Sequence, residues 1–149
     1  MLVEKIAFKN LYCITLNPND DILFRLREAV EKEGIKNAVI VTGAGSAACH
    51  HFHVVGMTER IYTKGEGASD IVNINGLIVN GRVHAHITHS NKDVAYGGHL
   101  EEGVKVLTFA TIVLAEVDHD LNKYDSQGRR DILKAAGKPS TMRFVDIPE

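Results

Sequence analysis

From residue 47 to residue 117 the chain is strand-like, and this limits its fold more than any other feature. Apolar and β-branched runs occupy residues 47–56, 60–64, 69–75, 77–90, 94–96 and 104–117. Gly and Asn separate them at hairpin-like intervals. Ahead of them lie a short apolar run at 11–16 and the turn Asn17-Pro18-Asn19-Asp20, which also supplies a helix cap. Residues 22–33 then carry Ile22, Leu23, Leu26, Ala29 and Val30 on one helical face, and Gly34 stops the helix. A buried strand follows at 37–41. One early helix and many later strands predict an α+β fold: a largely antiparallel sheet with one main helix near the N-terminus. A length of 149 residues suits a single domain over 1–149. Residues 121–140 are polar and mixed, with a turn of helix expected at 131–136 and a last short strand at 143–147.

The segment Val39-Ile40-Val41-Thr42-Gly43-Ala44-Gly45-Ser46-Ala47-Ala48 has the G-x-G-x-x-A spacing of a dinucleotide-binding turn. That chemistry needs a helix next, so that its N-terminal amides face the pyrophosphate. Here Cys49-His50-His51-Phe52-His53-Val54-Val55 alternates like a strand, and no acidic residue closes a second strand about twenty residues on. Gly43 to Ser46 therefore read as a tight turn between strands.

Seven of the eight histidines fall between residues 50 and 99. In Gly81-Arg82-Val83-His84-Ala85-His86-Ile87-Thr88-His89-Ser90, strand periodicity puts His84 and His86 on one face, about 7 Å apart at Cα, and turns His89 to the other. Asn91-Lys92-Asp93 reads as a hairpin turn whose return strand brings His99 beside the pair. Gly97 and Gly98 let the backbone approach closely there. Three neutral imidazoles suit zinc and accept manganese, iron or nickel, and three protein ligands leave a coordination position open. His84, His86 and His99 are thus a predicted metal site, against the bland alternative of hairpin histidines with no ligand. His51 and His53 share a face with no third ligand evident. They are either possible pocket neighbours of the metal site or part of a solvated strand face. Cys49 has their parity and reads as a small buried hydrophobe.

Gly43-Ala44-Gly45-Ser46, His84-Ala85-His86, Tyr96-Gly97-Gly98-His99-Leu100-Glu101-Glu102-Gly103 and Ile112-Val113-Leu114 together resemble the plants-and-prokaryotes conserved (PPC) domain in its prokaryotic form. The resemblance runs from residue 11 to 117, with the strand near Phe144 expected to belong to it. It implies an antiparallel-sheet fold and assembly as a homotrimer. The histidine segment also resembles that of acetolactate decarboxylase, which is similar in fold and binds zinc through H-x-H followed by G-G-H. His84, His86 and His99 match those ligands. The match stops there: that enzyme's catalytic glutamate and arginine have no identified counterpart, and decarboxylation of acetolactate is not carried over.

Three functions compete. The first is a metal-dependent enzyme or a binder of an unidentified small molecule. The second is a DNA-associated or regulatory protein acting through trimerisation and protein contacts. The third is a structural trimer whose histidines do nothing. The net charge of -2 gives DNA or an anionic membrane little to hold. The R-G-R-P core of the AT-hook found in plant relatives is absent, and Gly128-Arg129-Arg130-Asp131 does not replace it. No apolar run approaches the roughly 20 residues of a membrane span. Glu4 and Lys5 sit where a secretory leader would be apolar, and two cysteines make no disulfide framework. A cytoplasmic protein is expected.

Overall fold

The computed structural model describes residues 3–56 and 59–122. Its elements in chain order are β1 (Phe8–Leu16), α1 (Ile22–Lys32), β2 (Asn37–Val55), β3 (Arg60–Val79), β4 (Arg82–Ser90), β5 (Ala95–Leu100) and β6 (Val106–Val117). The strands pair antiparallel in one sheet of order β1-β6-β2-β3-β4-β5. The last strand also returns to the far half of β2, pairing Phe52 with Leu100 and His53 with His99. That contact closes β2, β3, β4 and β5 into a ring. The expected α+β class, a largely antiparallel sheet with its main helix near the N-terminus, is the one observed among the described residues.

Helix α1 forms where the apolar stripe predicts it. Asp21 caps it, its carboxylate accepting the Phe24 N–H at 3.1 Å. The cap thus falls one residue past the Asn17–Asp20 turn, because Asp20 is engaged within that turn by the Asn17 N–H. Ile22, Leu23, Leu26 and Val30 are buried against the sheet. Each contributes about 1.5–3 kcal/mol through lost apolar exposure. The core they join is lined by Ile40, Ile74, Ile78, Val83, Ile87, Ile112 and Leu114.

Three expectations change. Gly43 to Ser46 are not a turn but lie inside β2, paired with both β6 and β3. Gly45 has φ +153°, and a Cβ there would collide with the Phe109 carbonyl. The glycines let two strands pass closely at a bulged bend, which local sequence does not distinguish from a turn. Residues 60–64 and 69–75 belong to one continuous strand, β3. Residues 77–90 are two strands: Asn80 (φ 52°) and Gly81 (φ 79°) form the tight hairpin between β3 and β4. The helical turn at 131–136 and the strand at 143–147 lie outside the described residues. Among the described residues no helix is long and apolar enough to cross a membrane.

Candidate metal centre

Pleat alternation sorts the side chains of β4 cleanly. Val83, Ala85, Ile87 and His89 point into the core, and His84 and His86 point out of it. The turn at residues 91–93 is closed by the Asn91 side chain, whose Oδ1 accepts from the Asp93 and Val94 amides at 2.9 and 3.0 Å. It sends β5 back so that His99 lies directly opposite His86. Gly97 and Gly98 have the role expected of them. A Cβ on Gly97 would strike the Ile87 carbonyl, and one on Gly98 would sit 2.5 Å from the His53 carbonyl. Only glycines let β5 fit between β4 and β2.

The structure brings the three predicted ligands together. The ring centres of His84, His86 and His99 are 5.3, 4.9 and 5.4 Å apart, and their ligand nitrogens lie within 4.8 Å of one another. Three imidazoles on one tetrahedral zinc, at about 2.0–2.1 Å per Zn–N bond, would place their ring centres about 5 Å apart. The residues present fit such an ion. Burial, and then the neighbouring imidazoles His53, His84 and His86, push the His99 pKa down to about 4. Burial and His84 lower that of His86. Neutral imidazoles are the ligating form, so at neutral pH no proton needs to leave these two rings before a metal binds.

His53 joins the site and His51 does not. The His53 ring centre is 4.5 Å from that of His99, and its Nδ1 is 2.6 Å from a Glu101 carboxylate oxygen. Both face the cluster because β2 and β5 pair at His53 and His99. His53, His99 and Glu101 form a second group whose ligand atoms also lie within 4.8 Å of one another. No third ligand joins His51 and His53; His53 instead groups with His99 and with Glu101, two residues beyond His99. His51 instead contacts the Glu102 carbonyl through Nδ1 at 2.5 Å and does not line the cleft. The cleft itself, about 630 Å³, is bounded by His53, His84, His86 and His99 with Val54, Val55, Arg60, Asn75, Ile87 and Thr88 along its walls. Cys49 is buried as expected, its thiol 3.1 Å from the Gly103 carbonyl and accepting the Lys105 amide at 3.3 Å.

The sequence pattern of the Plants and Prokaryotes Conserved (PCC) domain matches residues 4–118. The chain belongs to this family. Its fold is shared with a plant- and prokaryote-conserved protein of Pyrococcus horikoshii, at TM-score 0.71 and 23% identity over 80% of this chain and 87% of that one. A metal-containing protein of Archaeoglobus fulgidus matches at TM-score 0.68 and 18% identity, covering 80% and 88%. A candidate DNA-binding protein of Bacteroides thetaiotaomicron matches at TM-score 0.68 and 20% identity, covering 77% and 86%. At these identities the likeness is one of fold. No curated protein matches the sequence.

Proposed function

We propose that this conserved-domain protein holds one divalent ion, zinc by preference, on His84, His86 and His99, and uses it as an enzyme or a binder of a small molecule. The observation that carries this reading is the mutual spacing of the three rings, 4.9 to 5.4 Å, at the edge of an open cleft. A zinc ion there would act as a Lewis acid toward a bound oxygen or acidify a bound water. The chain's own residues supply the rest: His53, held by Glu101, is a polar group beside the cluster, and Val54 and Val55 give the cleft an apolar wall. The metal-containing relative from Archaeoglobus supports the reading. Elemental analysis of protein purified without an affinity tag tests it. About one equivalent of zinc per chain is expected, and protein that stays metal-free after incubation with zinc would overturn it.

The working unit we propose is a homotrimer. On β6 one face is core, with Val106, Ala110, Ile112 and Leu114 buried. The other leaves Leu107 and Phe109 exposed at 41% and 57%. A closed ring of subunits would cover such a surface. Sedimentation equilibrium at micromolar concentration decides: a mass near the 16.4 kDa of one chain would exclude the trimer. The regulatory, DNA-associated reading has the Bacteroides relative in its favour and the net charge of -2 against it. Tight, saturable binding to duplex DNA at about 150 mM salt would revive it. The free thiols of Cys13 and Cys49 agree with a reducing, cytoplasmic setting.

A further inference from the structure

Resting on the metal reading above, we infer that the cleft selects a small carboxylate, its anionic head paired with Arg60 and an oxygen donor directed to the three-histidine cluster. The argument is one of charge. Among the described residues that line the cleft none is a carboxylate, whereas Arg60 stands in its wall. The Arg60 backbone pairs with Val55 in the β2–β3 ladder, while its guanidinium has no hydrogen bond or ion pair with the described residues and keeps its donors for a ligand. Glu101, the nearest acid to the cluster, is turned to His53 at 2.6 Å and does not line the cleft. A divalent ion and a guanidinium facing one space, with no opposing acid, make that space strongly attractive to an anion.

The kind of anion follows from the donors and the size. A guanidinium offers a planar fork that matches a carboxylate with two parallel hydrogen bonds. Asn75, paired across the ladder with His86, and Thr88 add two neutral polar groups on the same side. Val54 and Val55 leave apolar wall for a short carbon chain. A compact acid with a second oxygen near its carboxylate would use both cations at once.

Cobalt(II) loaded in place of zinc gives a visible spectrum that reports the ligands at the ion without any assay of activity. Glycolate titrated into the cobalt protein is expected to change that spectrum saturably, and the uncharged analogue glycolamide to do so at least tenfold more weakly. Arg60→Gln should take up cobalt with unchanged stoichiometry and spectrum yet lose about tenfold or more in glycolate affinity, the scale of a lost charged hydrogen bond. Arg60→Lys should recover part of that loss. Equal glycolate binding by Arg60→Gln and wild type overturns the inference while leaving the metal reading intact. So does equal binding of glycolate and glycolamide. Inorganic phosphate binding more tightly than glycolate overturns the carboxylate class. A wild-type protein that takes up no cobalt or zinc removes the metal reading, and this inference with it.

Discussion

Strands β2, β4 and β5 carry imidazoles on both faces, and the two faces do opposite things with the same residue type. Outward, His53, His84, His86 and His99 crowd around an open cleft, with neighbouring ring centres 4.5 to 5.4 Å apart. Inward, His50 and His89 lie 6.4 Å apart, packed with Phe52 and Tyr96. His89 has 0% exposure, stacks on Tyr96 and shares a 3.0 Å hydrogen bond with Ser69 through Nδ1. Its Nε2 and the His50 Nδ1 have no hydrogen-bond partner among the described residues. His89 is closed in completely, whereas the outer group borders an open cleft with space for an ion and a ligand. Histidine count says nothing about ligation; strand parity and access decide it.

The largest effect expected is on metal content. His99→Ala, His84→Ala and His86→Ala should each lose most of the bound metal, and His89→Ala should keep it. Plasma emission analysis of the four purified variants reads this directly. Equal metal in His99→Ala and His89→Ala would erase the distinction between the two faces.

Stability should respond the other way round. His89→Ala opens a cavity in a fully buried position and is expected to cost about 2–4 kcal/mol in urea unfolding. His86→Ala, at an exposed position, should stay within about 0.5 kcal/mol in metal-free protein. A smaller cost at His89 than at His86 would mean that the inner cluster is not part of the packing.

Much of this contrast is legible in the sequence. The alternation in residues 83–89 separates His84 and His86 from His89, and the paired glycines before His99 mark where strands crowd. The helix follows from the spacing of Ile22, Leu26 and Val30. Other features needed the fold. The β2–β5 closure joins residues 46 positions apart, His53 and His99, and no local pattern encodes it. The Asn80-Gly81 turn was signalled by its residue types but hidden between the apolar runs on either side. Gly43 to Ser46 failed differently: small residues serve a turn and a crowded bend equally well, and only the partner strand distinguishes them. Arg60 opens the strand-like run 60–64, but its place beside the histidines comes from the β2–β3 pairing.

Acid should act on the inner cluster through His89. Burial, and then the charge of His50, hold its pKa down at about 4, against 6.5 for a free imidazole. Between those values the unfolded chain binds a proton that the folded chain refuses. The contribution is therefore complete above pH 6.5 and is lost as pH falls toward 4, by roughly 3 kcal/mol at most. In metal-free protein, urea midpoints measured from pH 7.5 to 4.5 should fall steadily for wild type. His89→Phe, which fills the space without a titrating group, should show a shallower fall. Identical slopes would show that His89 is not the group being titrated.

The smallest effect expected is also the one that defines the outer face most sharply. His99 belongs to two possible ligand sets, one with His84 and His86 and one with His53 and Glu101. Loss of metal in His99→Ala fits either. Glu101→Gln separates them. If the ion sits on the three histidines, Glu101 acts only by fixing the His53 ring through their 2.6 Å contact. The variant should then keep full metal stoichiometry with affinity lowered by no more than about tenfold, the low end for a group that positions its neighbours around a metal. If the ion sits on the second set, Glu101 is a ligand and its amide is a far poorer one, so metal content should collapse as it does in His99→Ala. Zinc titration against a competing chelator measures both outcomes on the same protein. The strand geometry favours the first: His84 and His86 come from one strand at fixed spacing with His99 directly across from His86, whereas the carboxylate of Glu101 is already engaged by His53.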